Sequence, residues 1–264
     1  LDISVEESLK RRHNQKKDRM ESEGAKFLKR VSDGFQLIAK DQNLVIELDS
    51  NRQEVFRMRV EGVLSAEKTA EGNYLLFSYS GQWLREYSPE KKINWELKGV
   101  KFNNAMPLAN GNVLVTVGSA SIVREIDPKS QNTVWEFNPG WWPNDAYRLD
   151  NGNTLVGGKG GVLEVTPSRE IVWEYGNPES ATIVVAKPTG KETVLVGWTS
   201  GQAREINVEK ETVWEYKMKS LCDVFRDPGG NTLFAGATEF LEIDPSKTIV
   251  WRLPKQAKTA TIRR

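Results

Sequence analysis

Three features are scarce in this 264-residue sequence, and each scarcity excludes a class of protein. Cys222 is the only cysteine, so no disulfide can form within the chain, and neither redox compartment is excluded. His13 is the only histidine, so the rest of the chain cannot supply a histidine-containing catalytic triad or a histidine-rich metal site. No apolar run approaches the roughly 18 residues of a transmembrane helix, and the mean hydropathy of −0.53 is typical of a soluble chain.

Charge of one sign is also lacking, because 37 basic residues face 36 acidic ones and leave a net charge of +1. This balance gives no bulk attraction for nucleic acid, and we predict no such partner. Residues 1–32 differ, since they are rich in helix formers and in charge. We interpret them as a helical or disordered arm, which either tethers the chain to an anionic surface or is simply a solvated face. Its basic cluster comprises Lys10, Arg11, Arg12, Lys16, Lys17 and Arg19.

The chain contains repeated copies of one unit of about 40 residues. The stretch NGNTLVGGKGGVLEVTPSREIVWEYG, residues 151–176, has counterparts that begin near residues 33, 71, 110, 189 and 229. Three markers keep their spacing through six copies, and we interpret the glutamates and aromatic residues among them as structural. The markers are a turn glycine (Gly34, Gly72, Gly111, Gly152, Gly190, Gly230), a glutamate (Glu47, Glu86, Glu125, Glu164, Glu205, Glu242) and an aromatic residue (Phe56, Trp95, Trp135, Trp173, Trp214, Trp251).

One unit has the pattern of four short antiparallel strands. Its Asn-Gly pair predicts a hairpin, because the primed turn needs positive φ. The segments DAYRLD, TLVGG, VLEV and IVWEY alternate or are rich in β-branched and aromatic residues, as strands are. Four strands in about 40 residues are typical of a propeller blade. The sequence therefore predicts an all-β fold: a six-bladed β-propeller of four-stranded antiparallel blades over residues 33–264, preceded by the arm of residues 1–32.

Closing the predicted ring requires one more inner strand than the links between copies supply. The missing strand comes either from KFLKRV, residues 26–31, or from the tail TATIRR, residues 259–264. We favour the tail, because pairing both chain ends in one sheet closes the ring and removes exposed sheet edges.

The repeated sequence pattern G-x-V-x-E-[IV]-x-P, followed by [IV]-V-W-E-[YF], resembles the repeat of the quinoprotein (PQQ)-like propellers. It is similar to bacterial arylsulfotransferase-like proteins and to surface or periplasmic proteins, over about residues 33–264. The resemblance implies the fold and an extracytoplasmic location (periplasmic, surface or secreted). Arylsulfotransferases of this type use a propeller histidine, whereas His13 lies in the arm. Quinone-dependent dehydrogenases use more blades, calcium and commonly a vicinal cysteine pair. We therefore expect no cofactor, no metal and no catalytic residue, although a carboxylate pair stays open.

Function is expected where the copies differ, on the face that propeller topology gathers around the channel mouth. The loop NPGWWPND, residues 138–145, is the longest loop leading into an inner strand. Aromatic rings beside amides and carboxylates suit a sugar, a small polar ligand or a protein partner. Alternatively, one or both tryptophans of this loop fold inward and fill the channel. The predicted ligand-binding residues are Trp141, Trp142, Asn144, Asp145, Lys159, Trp198 and Asp223, with Asn103, Asn104 and Cys222 on the same face.

These observations favour a non-catalytic, monomeric propeller that binds a protein partner or a small polar or carbohydrate ligand at the channel mouth. The first alternative is an enzyme that uses channel carboxylates or an unseen metal. The second is a purely structural envelope or surface component. We interpret Cys222 as a small buried apolar residue and not as a nucleophile, because no ring histidine could activate it.

Overall fold

The computed structural model describes residues 35–38, 43–49, 53–189, 192–227, 229–254 and 262–263. These residues form 24 strands in antiparallel, four-stranded sheets, which confirms the predicted all-β propeller with four-stranded units. The predicted arm, residues 1–32, lies outside the described residues. The same holds for the alternative closing strand KFLKRV.

Five of the sheets are blades built from four strands that are consecutive in the sequence. In each, the first strand is the inner one and the last is the outer one. Blade I contains β4 (Ser65–Lys68), β5 (Tyr74–Ser78), β6 (Trp83–Tyr87) and β7 (Ile93–Lys98). Blade II contains β8 (Asn104–Pro107), β9 (Val113–Val117), β10 (Ile122–Ile126) and β11 (Thr133–Phe137). Blade III contains β12 (Pro143–Arg148), β13 (Thr154–Gly158), β14 (Gly161–Val165) and β15 (Ile171–Gly176). Blade IV contains β16 (Ile183–Pro188), β17 (Val194–Trp198), β18 (Gln202–Ile206) and β19 (Thr212–Lys217). Blade V contains β20 (Asp223–Arg226), β21 (Thr232–Ala235), β22 (Glu239–Ile243) and β23 (Ile249–Pro254).

The remaining sheet corrects the predicted count of six blades to five. This closing sheet joins the two ends of the described chain in the order β24 (Ile262–Arg263), β1 (Phe35–Ile38), β2 (Leu44–Leu48) and β3 (Glu54–Arg59). The copy that begins near residue 33 supplies only three of its strands, so it is not a blade made by one repeat. The fourth strand comes from the tail, as favoured above, and pairs at two positions only, Leu37 with Ile262 and Gln36 with Arg263.

The core lies between neighbouring sheets, because successive side chains of a strand point to opposite faces. In β5, Leu75 packs in the cluster between blades I and II, whereas Leu76 packs in the cluster between blade I and the closing sheet. In β13, Leu155 faces blade IV and Val156 faces blade II. Each blade therefore needs a neighbour on both sides to bury its apolar residues.

A β-bulge recurs in every outer strand and sets the register of the repeat. In blade III, Glu164 pairs with Trp173 and Val165 pairs with Ile171, which leaves Val172 as the extra residue. The same register shift follows the marker glutamate in the other blades and in the closing sheet. A bulge twists an exposed edge and interrupts its pairing, which protects the outer strands from edge-to-edge association.

Candidate functional site

The repeated glutamates and aromatic residues form contacts between sheets at the end of the propeller that carries the Asn-Gly turns. Glu125 of blade II accepts hydrogen bonds from Asn112 Nδ2 at 2.7 Å and from Arg148 Nη2 of blade III at 2.8 Å. The Arg148 guanidinium also lies 5.0 Å from the centre of the Trp135 ring, and Trp135 Nε1 donates to the carbonyl of Pro167. Burial lowers the pKa of Arg148, and Glu125 acts in the opposite direction. These contacts support the structural interpretation of the markers.

The same arrangement recurs on other blades. Arg226 of blade V pairs with Glu205 of blade IV at 3.1 Å and lies 4.4 Å from the Trp214 ring centre. Lys68 of blade I pairs with Glu47 of the closing sheet. The repeated residues thus hold neighbouring sheets together at this end of the propeller, and the loops that carry Trp141, Trp142 and Lys159 lie at the opposite end. We call that end the loop face, because it carries the loops that lead into the inner strands and those between the second and third strands.

Two adjacent tryptophans dominate the loop face of blade III, and they occupy different environments. The Trp141 ring lies against Gly158 and Gly160 of its own blade and packs on the core between blades II and III. The Trp142 ring lies instead against Gly118 of blade II, so close that a Cβ atom on Gly118 would be 2.1 Å from Trp142 Nε1. Trp142 remains 36% exposed. Trp141 is therefore mainly a packing residue, whereas Trp142 offers ring surface to solvent.

Lys159 lies beside these rings at the tip of the turn between β13 and β14. Its backbone N–H donates to the Trp142 carbonyl at 3.0 Å, and its side chain is exposed. The Lys159 carbonyl accepts from Asn177 Nδ2 at 3.3 Å, and Asn177 Oδ1 accepts from Trp198 Nε1 at 2.9 Å. Asn177 thus connects the turn to Trp198, whose side chain is fully buried.

Asn177 was missed by the sequence reasoning, although a signal for it exists. The loops leading into β12 and β16 both begin with Asn-Pro, at Asn138 and Asn177. In both loops the asparagine Oδ1 accepts a backbone N–H two residues later, from Gly140 at 2.8 Å and from Glu179 at 3.2 Å. An asparagine that forms such a turn shapes the loop that follows it.

Asn144 and Asp145 lie on the inner strand β12, where the register shifts between Pro143 and Asp145. Asn144 Nδ2 donates to the Ile183 carbonyl of β16 at 2.8 Å. The Asp145 carboxylate accepts from Asn104 Nδ2 of β8 and, at 2.9 Å, from the backbone N–H of Ala186 on β16. Asp145 is 3% exposed and joins three consecutive inner strands.

Asp223 has a buried cationic partner that the sequence reasoning also missed. Lys187 Nζ of β16 lies 2.9 Å from Asp223 Oδ1 of β20, and both side chains are buried. No local signal marks Lys187, because it stands in a strand-like segment, VVAKP, and its partner lies 36 residues away. On neighbouring loops, Asn103 Oδ1 accepts from the Gly118 N–H, and Cys222 is half-buried.

The loop face thus brings Trp141, Trp142 and Lys159 together at one place. Asn144, Asp145, Trp198 and Asp223 lie below or beside them and make hydrogen bonds or ion pairs with protein groups. A role in ligand binding stays a prediction for all seven residues. In the part of the chain that the structure describes, no group of three or more His, Cys, Asp and Glu side chains is arranged to hold a metal ion.

A cavity of about 600 Å³ lies elsewhere, between the closing sheet and blade I. Met58, Val60 and Tyr87 form its buried floor. Four cations and one carboxylate also line it, but Arg57 and Arg85 are already paired with the neighbouring carboxylates Glu54 and Glu96. The lining residues are Arg57, Met58, Arg59, Val60, Glu61, Arg85, Tyr87 and Lys91.

Comparison with known proteins identifies the fold and leaves the family open. No protein-family model matches the chain. A segment of 64 residues is 48% identical to a thymidylate kinase of Prochlorococcus marinus, covering 24% of this chain and 29% of that protein. A segment of 43 residues is 54% identical to thymidylate kinase of Synechococcus sp. (strain CC9902), covering 16% of this chain and 21% of that protein. The chain therefore spans less than a third of the length of these curated relatives.

Solved structures are similar over most of the chain, at low sequence identity. A protein of unknown function from Bacteroides caccae has a TM-score of 0.71 and 16% identity, covering 88% of this chain and all of that one. Virginiamycin B lyase from Staphylococcus aureus has a TM-score of 0.61 and 12% identity, covering 86% of each chain. The Cps50 (Swd1) β-propeller domain of Myceliophteria thermophila has a TM-score of 0.65 and 14% identity, covering 86% of this chain and 84% of that one. These similarities show a β-propeller fold alone. No helix within the described residues is long and apolar enough to cross a membrane.

Proposed function

We propose that this protein is a non-catalytic β-propeller that binds a saccharide at its loop face, with the Trp142 ring as the stacking surface. The observation that carries the proposal is that Trp142, a large aromatic residue, is 36% exposed and that its ring lies against a residue without a side chain, Gly118. The flanking segments carry mostly small residues, Gly-Ser-Ala-Ser at 118–121 and the two glycines on either side of Lys159. An aromatic ring with a few polar neighbours is typical of sites for polar ligands that also have apolar faces.

The chemistry of the inner strands favours binding over catalysis. Asp145 and Asp223 are buried carboxylates near the axis, and each is bonded to protein donors, Asn104 and Ala186 for the first and Lys187 for the second. A carboxylate that already accepts such bonds is poorly placed to transfer a proton to a ligand. The alternatives are an enzymatic role and a purely structural role, and a purely structural component would bind no saccharide.

We further propose that the chain is related to the quinoprotein-like and arylsulfotransferase-like bacterial propellers and acts outside the cytoplasm. The repeated G-x-V-x-E text supports this relation, and the low identity of the solved propellers leaves it to be tested. We do not propose kinase activity from the thymidylate kinase segments. They cover a small share of those enzymes, and the chain has no G-x-x-x-x-G-K-[ST] sequence of the kind that holds phosphates in P-loop enzymes.

The test is a saccharide array probed with the parent protein and with Trp142→Ala. We expect the parent to retain at least one class of saccharide and Trp142→Ala to lose at least tenfold in affinity. Its free energy of unfolding should fall by clearly less than the ~3–5 kcal/mol that removal of a fully buried tryptophan costs, since Trp142 is only partly buried. Val172→Ala is the control, because Val172 is also exposed but lies on the outer edge of blade III.

A second variant displaces the Trp142 ring, the stacking surface, without removing it. Gly118→Ala places a methyl group where the Trp142 ring now lies, so the ring must move outward. We expect reduced binding with the tryptophan still present. The proposal would be refuted if the parent protein bound no saccharide on the array. It would also be refuted if the Trp142→Ala variant bound like the parent. Capture of a protein through the same face, without saccharide binding, would replace the saccharide by a protein partner.

A further inference from the structure

Two exposed lysines lie on segments of the loop face that are hydrogen-bonded to Trp142 or to the glycine beneath its ring, and their charge restricts the class of ligand. Lys159 lies on the turn between β13 and β14, and Lys101 lies on the loop leading into β8. Lys159 is bonded directly to Trp142, because the Lys159 N–H donates to the Trp142 carbonyl. The ion pairs formed among the described residues include neither lysine.

Lys101 precedes Asn103 by two residues on the loop leading into β8. Its loop is fastened to the support of Trp142, because Asn103 Oδ1 accepts from the Gly118 N–H at 2.8 Å. Lys101 Nζ lies 5.7 Å from the centre of the Tyr79 ring. The two lysines therefore belong to segments that are hydrogen-bonded to Trp142 itself or to Gly118 beneath its ring.

The nearby carboxylates are each either paired with a cation or buried. Glu179, on the loop after Asn177, pairs with Arg204 at 2.7 Å. Asp223 pairs with Lys187, and Asp145 is buried and accepts from neutral protein donors. A negatively charged group on a ligand above Trp142 would thus meet ammonium groups and no unpaired, exposed carboxylate among these neighbours.

We infer that the ligand is an anionic saccharide, whose ring stacks on Trp142 while its carboxylate or sulfate pairs with Lys159. The inference rests on the proposed function, and it deepens that function by naming the ligand's charge. Lys159 is the principal partner, because it is bonded directly to Trp142 and its two flanking glycines carry no side chains that could cover it. Lys101 adds a second positive charge on the loop face.

The experiment compares matched ligands on the parent protein by calorimetry. The ligands are an oligogalacturonate, its methyl ester and a sulfated galactan of equal length, each measured at low salt and at about tenfold higher salt. We expect the parent to bind at least one anionic ligand about tenfold more tightly than the neutral ester. The preference should fall with salt, because exposed charges are screened. Whichever anionic ligand binds more tightly, the oligogalacturonate or the sulfated galactan, shows whether the site prefers a carboxylate or a sulfate.

Variants separate this inference from the proposed function. Lys159→Gln should reduce the anionic preference to less than threefold and leave affinity for the neutral ester unchanged. Trp142→Ala should weaken both. Lys129→Gln, an exposed lysine on the turn between β10 and β11 at the other end of blade II, should behave like the parent.

Equal binding of anionic and neutral ligands by the parent would overturn the inference and leave saccharide binding intact. If Lys159→Gln kept the parent's preference for anionic over neutral ligands, the inference would likewise be overturned and saccharide binding would stand. Failure of every ligand here and of every saccharide on the array would refute the proposed function itself.

Discussion

Replacing Asp145 by alanine tests whether its carboxylate stabilises the propeller or binds a ligand. The side chain is 3% exposed on the inner strand of blade III. Its oxygens accept hydrogen bonds from Asn104 Nδ2 in blade II and from the Ala186 N–H in blade IV. Alanine removes both acceptor oxygens at once, which leaves the buried Ala186 N–H without this acceptor and Asn104 Nδ2 with only its longer contact to the Ala146 carbonyl at 3.4 Å.

The magnitude follows from these two contacts. A hydrogen bond to a charged group contributes about 1.5–3 kcal/mol, and a buried donor that loses its acceptor costs a similar amount. Asp145→Ala should therefore lower the free energy of unfolding by about 3–5 kcal/mol, a large share of the roughly 5–15 kcal/mol of a typical domain. Asp145→Asn keeps the volume and one acceptor oxygen but turns an amide group toward a donor. We expect it to cost about 1.5–3 kcal/mol.

Urea unfolding followed by tryptophan fluorescence measures these losses, since the chain contains nine tryptophans. Asp150→Ala is the control, because Asp150 is an exposed carboxylate in the hairpin turn of the same blade. It should lie within about 0.5 kcal/mol of the parent. An Asp145→Ala variant less than about 1 kcal/mol below the parent would refute the structural reasoning. Loss of ligand binding in that same stable variant would establish Asp145 as a ligand residue.

Three further predictions concern closure, packing and pH. Deleting residues 262–264 should lower the Tm by about 2–8 °C in a thermal melt, because β24 supplies the inner edge of the closing sheet; an unchanged Tm would show that this edge needs no partner. Gly157→Ala should cost about 1–3 kcal/mol in urea, because its methyl group would lie 2.7 Å from a Cβ atom of β16, whereas Gly176→Ala, with open space around it, should be neutral. Burial and then Glu47 raise the pKa of Tyr74, so the folded state favours the neutral phenol. The neutral Tyr74 phenol therefore contributes to the free energy of unfolding below about pH 10, and this contribution is lost as the pH rises through the folded-state pKa. Tyr74→Phe should therefore lose less stability above about pH 10 than the parent, and parallel pH profiles would contradict this.

Local chemistry in the sequence predicted the blade strands and their hairpins. The turn glycines Gly72, Gly111, Gly152 and Gly230 all have φ between 84° and 91°, as hairpin turns of this kind require. The predicted strands TLVGG and IVWEY appear as Thr154–Gly158 and Ile171–Gly176. These features depend on residues that are neighbours in the chain, so one copy of the repeat is enough to predict them.

The turns between third and outer strands show where local chemistry fails. Arg169, Lys210 and Lys247 have φ of 73°, 69° and 68°, a region that glycine or asparagine would normally occupy. Two of these side chains contact the neighbouring blade. Arg169 Nε donates to the Glu136 carbonyl at 2.9 Å, and Lys247 Nζ lies 5.9 Å from the Trp214 ring centre. A long cationic side chain in this conformation reaches the preceding blade.

The sequence by itself determined the period, the strands of the five blades and the loops that carry Trp141, Trp142 and Lys159. Tertiary structure alone decided how many sheets arise from a single repeat, because the inner strand of the closing sheet comes from the other end of the chain. It also decided which predicted site residues are exposed. Asp145 bonds to groups 41 residues away in both directions along the chain. Such partners are set by the order of blades around the ring, which no single repeat contains.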